Sequence, residues 1–146
     1  MRRSDEDKLK KIAERWIEEG WQRGNIDIVD ELHSPAFVDH DSAGRPSDRE
    51  GFKRGIQALY SGFPDLHCIV EDLVVDVASE KVAVRWSGKG THKGEFFGFD
   101  PTGKKIRFKG IEIIHLHNGR ITDRWGEWDG MDILAQLGRA SQESKE

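Results

Sequence analysis

The chain has 146 residues, the size of one ordinary domain, with 23 basic and 27 acidic side chains and a net charge of −4. This mixed charge excludes a general nucleic-acid binder, which carries a basic excess. A single cysteine, Cys68, excludes a disulfide framework and an all-cysteine zinc site. No apolar run approaches the roughly 20 residues of a membrane span, and Met1-Arg2-Arg3 leads into charge and not into a signal-peptide core, so the cytoplasm is the expected location.

The order of elements comes from hydrophobic periodicity. Leu9, Ile12, Ala13, Trp16 and Ile17 recur at helical spacing, predicting a helix from Ser4, a candidate N-cap, to Gly20, with Gly20 or Gly24 ending it. Asn25 caps a second short helix bearing Ile28, Val29 and Leu32, which Pro35 stops; residues 36–40 follow as a short strand. Ser47 and Glu50 have capping-box spacing before a third helix with Phe52, Ile56, Leu59 and Tyr60 on one face. From Leu66 the period falls to two. Strands are expected over 66–78, 81–94, 104–117 and 120–128, separated by turns that include Asp100-Pro101-Thr102-Gly103 and Asn118-Gly119. A last helix is expected over 129–137, ending at Gly138, with a frayed charged tail from Ser141. Helices first and an antiparallel meander last mean an α+β fold, one domain over 1–146 with its core at about 5–138. Three N-terminal helices would pack on one face of a curved sheet, forming a cone whose interior suits a small molecule.

The densest chemistry lies in Asp123-Arg124-Trp125-Gly126-Glu127-Trp128-Asp129. Strict alternation puts Asp123, Trp125, Glu127 and Asp129 on one face, unless a bulge at Gly126 resets the phase. A carboxylate among indoles suits acid/base work, because desolvation raises its pKa. Asp129 also stands where a strand meets a helix, so a plain N-cap is the alternative. Glu112 interrupts the apolar run Ile111-Glu112-Ile113-Ile114; it is either functional or paired with Lys109 or Arg85. Asp39-His40-Asp41 is either a proton-handling cluster or a surface turn. His115 and His117 share a strand face with no third ligand in sight, so no metal is expected. The glycines at 88, 90, 94 and 98 lack a phosphate loop's context and read as places where a sheet curls.

The blocks Phe63-Pro64-Asp65-Leu66, Val82-Ala83-Val84-Arg85-Trp86, Gly90-Thr91-His92, Pro101-Thr102-Gly103, Gly119-Arg120-Ile121, Trp125-x-x-x-Asp129 and Gln136-Leu137-Gly138 together resemble the SnoaL-like polyketide cyclases of the nuclear-transport-factor-two-like superfamily. The resemblance implies the α+β cone, intramolecular aldol cyclisation of a polyketide ester without metal or cofactor, and a homodimer or higher oligomer. It implies a small apolar carbonyl-containing ligand, with no nucleic-acid or membrane partner. It carries the acid/base role onto Asp129. Glu112 takes the place of a pocket histidine and Asp39 that of a pocket asparagine. Glu112 and His40 are then expected to orient substrate or tune Asp129, with Trp86, Trp125, Trp128, Asp39 and Phe37 lining the site. Sister activities fit less well. Arg85-Trp86-Ser87 lacks the aspartate of an epoxide hydrolase, and Tyr60 alone does not supply the tyrosines of an isomerase or dehydratase. The other class left open is a non-catalytic binding or assembly module in which Asp129 is only a cap.

Overall fold

The computed structural model describes residues 3–145, with side chains from 5 to 138. Helix α1 (Arg3–Arg15) runs directly into a π-helical segment, Trp16–Gln22, and then α2 (Asp27–Leu32). Strand β1 (His33–Asp39), helix α3 (Arg49–Gly62), strands β2 (His67–Asp76), β3 (Lys81–Thr91), β4 (Lys105–His117) and β5 (Arg120–Trp128), and helix α4 (Gly130–Lys145) follow. The predicted α+β class and the three N-terminal helices are present.

The local chemistry corrects several boundaries. Helix α1 begins before Ser4, whose side chain is outside the described residues. Pro35 lies inside β1 and does not precede it. Proline is tolerated there because β1 is an edge strand, paired only with β5 and with a register break between His33 and Val38. The cap of α3 is Asp48, whose Oδ1 accepts the Gly51 N–H at 2.9 Å. Ser47 instead gives its carbonyl to the Asp39 N–H. Helix α4 continues through Gly138; beyond its backbone, the expected tail lies outside the described residues.

The sheet order is β1-β5-β4-β3-β2, antiparallel except for the parallel β1–β5 pair. Asn118 and Gly119 both have positive φ, as the tight β4–β5 hairpin requires. One irregularity decides the site. His115 pairs with Asp123 but Leu116 pairs with Ile121, so Thr122 is an extra residue in β5. This bulge flips the phase of everything after it. Ile121 points inward, and so does Arg124, three residues later and not two. Asp123 and Trp125 share a face, as alternation predicts, but that face is the outer one, so Trp125 does not line the cavity as expected.

The helices cover the concave face. One buried cluster joins Trp16, Ile17, Val29, Phe37, Phe52 and Ile56 to Val84, Ile114 and Ile121. A second joins Phe63, Leu66 and Cys68 to Phe108 of β4 and Ile133 and Leu137 of α4. No helix among the described residues is long and apolar enough to cross a membrane.

Candidate active site

Glu112 points into the cone and is 1% exposed. A carboxylate so deeply buried is tolerable only with charged or hydrogen-bonding partners, and it has both. Its Oε2 accepts from Arg124 Nε at 2.7 Å and its Oε1 from Trp16 Nε1 at 3.1 Å. Trp16 reaches it because residue 20 is glycine: a Cβ there would lie 2.3 Å from the indole. Arg124 Nη1 donates to Asp39 Oδ1 at 3.0 Å, on the neighbouring strand, where Asp39 and Arg124 are register partners. The second Asp39 oxygen, buried and without a hydrogen bond among the described residues, lies 3.9 Å from Arg45 Nη2. The result is a floor of two carboxylates and two guanidinium groups, neutral in total. Burial alone would lower the Arg124 pKa, but Glu112 and Asp39 together hold it above the ordinary arginine value. Burial pulls Arg45 down, against the opposing pull of Asp39. The Arg124 guanidinium also lies over the Phe52 ring, 5.2 Å from its centre.

Two glycines of α3 make room for the 40–48 loop. A Cβ on Gly51 would lie 1.8 Å from the Pro46 carbonyl oxygen, and one on Gly55 would lie 2.2 Å from Arg45 Nη1. Arg45 therefore folds back along α3 and donates to the Gly51 carbonyl at 2.9 Å. The turn that sends it back passes through Ala43 and Gly44, both at positive φ.

Above this floor is a cavity of about 230 Å³. Its walls are apolar, with Trp21, Leu66, Phe96, Trp86, Phe108 and Trp128 prominent, while Asp41, Arg45, Glu112, Arg124 and Glu127 supply its charge. Gly110 lets the Trp86 indole lie flat against β4, since a Cβ would come within 2.7 Å of that ring. Cys68 also lines the cavity, but burial, reinforced by the Glu112 charge, pushes its pKa up to about 12. It stays a neutral thiol and is a poor nucleophile. Among the described residues no three His, Cys, Asp or Glu side chains gather as a metal site.

The expected site residues divide sharply. Glu112, Trp86 and Trp128 line the cavity. Asp39 lies beneath it, holding Arg124. Glu112 pairs with neither Lys109 nor Arg85, which bind Asp129 and Asp72 on other surfaces. His40 turns outward, its ring stacked 4.1 Å from Trp125 and its Nε2 3.0 Å from Asp123 Oδ2. Trp125 is thus on the convex face, because of the Thr122 bulge. Phe37 is a core residue, with ring centres 4.6 Å from His33 and 5.4 Å from Phe52. Asp129 is not among the cavity-lining residues. Its Oδ1 accepts the Asp132 N–H at 3.0 Å, capping α4, and its Oδ2 lies 3.8 Å from Lys109 Nζ. Arg124, Arg45 and Asp41 are charged cavity groups given no individual role by sequence reasoning, although Arg124 and Asp41 lie in stretches singled out there. The signal for Arg124 was Glu112 itself, since an acidic residue in an apolar strand needs an inward cation.

A helix-covered, curved sheet around an apolar cavity with a charged floor defines an α+β cone. Within that class the SnoaL-like polyketide cyclase model matches residues 11–137, and the chain belongs to this family. A candidate polyketide cyclase from Acidithiobacillus ferrooxidans is 29% identical, with a TM-score of 0.78 over 91% of this chain and 96% of that one. One from Bacillus cereus is 32% identical, with a TM-score of 0.77 over 90% of this chain and 80% of that one. IdmH, a candidate polyketide cyclase from Streptomyces antibioticus, is 31% identical, with a TM-score of 0.77 over 89% and 98%. No curated protein matches the chain.

Proposed function

We propose that this chain catalyses cofactor-independent proton transfer on an apolar carbonyl or ester compound, with intramolecular aldol cyclisation as the type reaction. The observation that carries this reading is the distribution of charge. The cavity is apolar except at its floor and one side of its mouth, and the floor presents a guanidinium whose Nη2 makes no hydrogen bond among the described residues. An enolate or aldolate oxygen develops negative charge, and a fixed donor in a water-poor site stabilises it far better than solvent does. Glu112 and Asp39 would hold that donor in place before substrate arrives. The flat walls of Trp86 and Trp128 would fold an extended substrate toward its reactive shape. A proton between two carbonyl groups is already acidic, so a carboxylate suffices as base.

The family resemblance nominates Asp129 for that role, from the Trp-x-x-x-Asp spacing. The cap it makes on α4 favours the second reading, a binding module of the same fold. One experiment separates them. An aryl β-keto ester is incubated with the protein in deuterium oxide and loss of its α-proton signal is followed by NMR. Exchange above the buffer rate is expected. Binding of the ester, seen as quenching of tryptophan fluorescence, without any exchange would leave the binding module standing.

A further inference from the structure

We infer that Asp41 is the base of this site and that it works as a unit with Arg124, the two held in register by Gly126 and Asp39. This rests on the acid/base reading above and deepens it.

Of the acidic side chains at or near the cavity, the others are committed or unanchored. Both Glu112 oxygens accept hydrogen bonds in the buried floor. Asp39 has no solvent-accessible side-chain surface. Asp129 caps α4. Glu127 lines the mouth but is exposed and makes no hydrogen bond through its carboxylate among the described residues. Asp41 is half-buried, lines the cavity and is anchored on one side only. Its Oδ2 accepts the Gly126 N–H at 2.6 Å, while its Oδ1 makes no hydrogen bond among the described residues.

Two independent links tie Asp41 to the guanidinium. Asp39 Oδ1 accepts both Arg124 Nη1 and the Asp41 backbone N–H, each at 3.0 Å. One carboxylate oxygen thus fixes the electrophile and the chain that carries the base. Gly126 is the second link. Its N–H holds the Asp41 carboxylate, and its missing Cβ makes room for Arg124, since a Cβ would lie 2.2 Å from Nη2. Gly126 thus brings a carboxylate with a free oxygen and a guanidinium to one part of the cavity wall, and enolisation uses such a base and cation.

The substrate class is a carbon acid flanked by a carbonyl, such as a β-keto ester or 1,3-diketone. Asp41 Oδ1 takes the proton from the carbon. The C–H electron pair becomes the enolate double bond, and the oxygen charge falls beside Arg124 Nη2. The enolate carbon then bonds to a second carbonyl carbon of the same molecule, and the resulting alkoxide takes the proton back from Asp41. Nothing is oxidised or reduced, and the product is an isomer of the substrate.

The test compares Asp41→Asn, Asp41→Ala and Asp129→Asn with the native chain in the exchange assay on the aryl β-keto ester, with ester binding measured in parallel. Native exchange, loss of about 100-fold or more in Asp41→Asn with binding within about twofold, and retained exchange in Asp129→Asn are expected. Added formate should restore part of the activity of Asp41→Ala, which a merely structural Asp41 would not permit. Native exchange that persists in Asp41→Asn would overturn the inference while leaving the acid/base reading intact. Loss in Asp129→Asn alone, with the fold retained by circular dichroism, would return the role to Asp129. No exchange by the native chain on an ester that it binds would remove both.

Discussion

Asp123 and Arg124 are neighbours on one strand and both are ion-paired, yet they occupy opposite physical worlds. Arg124 enters the cone, where its side chain is 13% exposed and joins two carboxylates exposed 0% and 1%. Asp123 faces out, pairing with His40 in a contact in which both partners are about one-third exposed. The inner cluster is largely withdrawn from water, so each member depends on the others. The outer cluster keeps water as a competitor, so its members are nearly independent. The same distance between opposite charges therefore means different things on the two faces of β5.

The comparison breaks most visibly at Arg124. Arg124→Met would leave Glu112 and Asp39 buried with no cation between them, and a loss of roughly 3–5 kcal/mol in urea unfolding is expected. Replacing all three by apolar residues of similar volume should recover much of that loss, because the desolvation cost disappears with the charges. Such a triple variant would fold and bind apolar ligands but show no proton exchange. That outcome would separate the stability role of the floor from its chemical one.

Histidines sharpen the contrast. His33 is fully buried among Trp16, Phe37 and Phe52. Its Nδ1 lies 3.0 Å from the Val29 carbonyl and its Nε2 has no hydrogen-bond partner among the described residues. Burial, with Arg124 and Arg49 adding repulsion against a smaller pull from Asp30, lowers its pKa to about 3. The unfolded chain protonates this imidazole near pH 6.5 while the folded chain does not. The folded state is thus favoured above pH 6.5, and this contribution is lost progressively as pH falls from 6.5 toward 3. The loss should reach several kcal/mol by pH 4. Its check is a set of denaturation curves between pH 7 and 4, with the His33 imidazole resonance unshifted while the protein remains folded. His33→Phe should flatten that dependence.

How much of this was legible follows from the same physics. The strand segments were readable from alternation and the hairpin from Asn118-Gly119, because both are local. Glu112 was readable because a lone acid in an apolar run violates burial rules. The bulge at Thr122 was not, since one inserted residue leaves no local signature, and its effect on Arg124 is a change of face rather than of composition. The expectation that Trp125 lines the site missed this bulge, which turns the Asp123 and Trp125 face outward. Asp41 was within a motif that drew notice, but the histidine beside it drew the weight. Only tertiary pairing with Gly126, 85 residues away, distinguishes the two.

Asp129 offers a test of intermediate size. Removing its cap with Asp129→Ala should cost about 1 kcal/mol, read as a lower thermal midpoint and loss of helical signal from α4. The Lys109 contact at 3.8 Å, between two largely exposed side chains, adds little.

The smallest effect belongs to the outer cluster. Asp123 has a lowered pKa because His40 donates to it, with Thr122 and the charges of His40 and His115 assisting against desolvation. A lowered acid stabilises the fold above its unfolded pKa and loses that contribution as pH falls below about 4. Here solvent screens the pair, so the loss should be only tenths of a kcal/mol. Asp123→Asn should accordingly shift urea stability at pH 7 by less than about 1 kcal/mol, with the stacked His40 and Trp125 rings kept together by their own contact. A loss near that expected for Arg124→Met would mean that the convex face is not open to water in solution. Asp123 would then be buried against another surface, and the two sides of β5 would be physically alike.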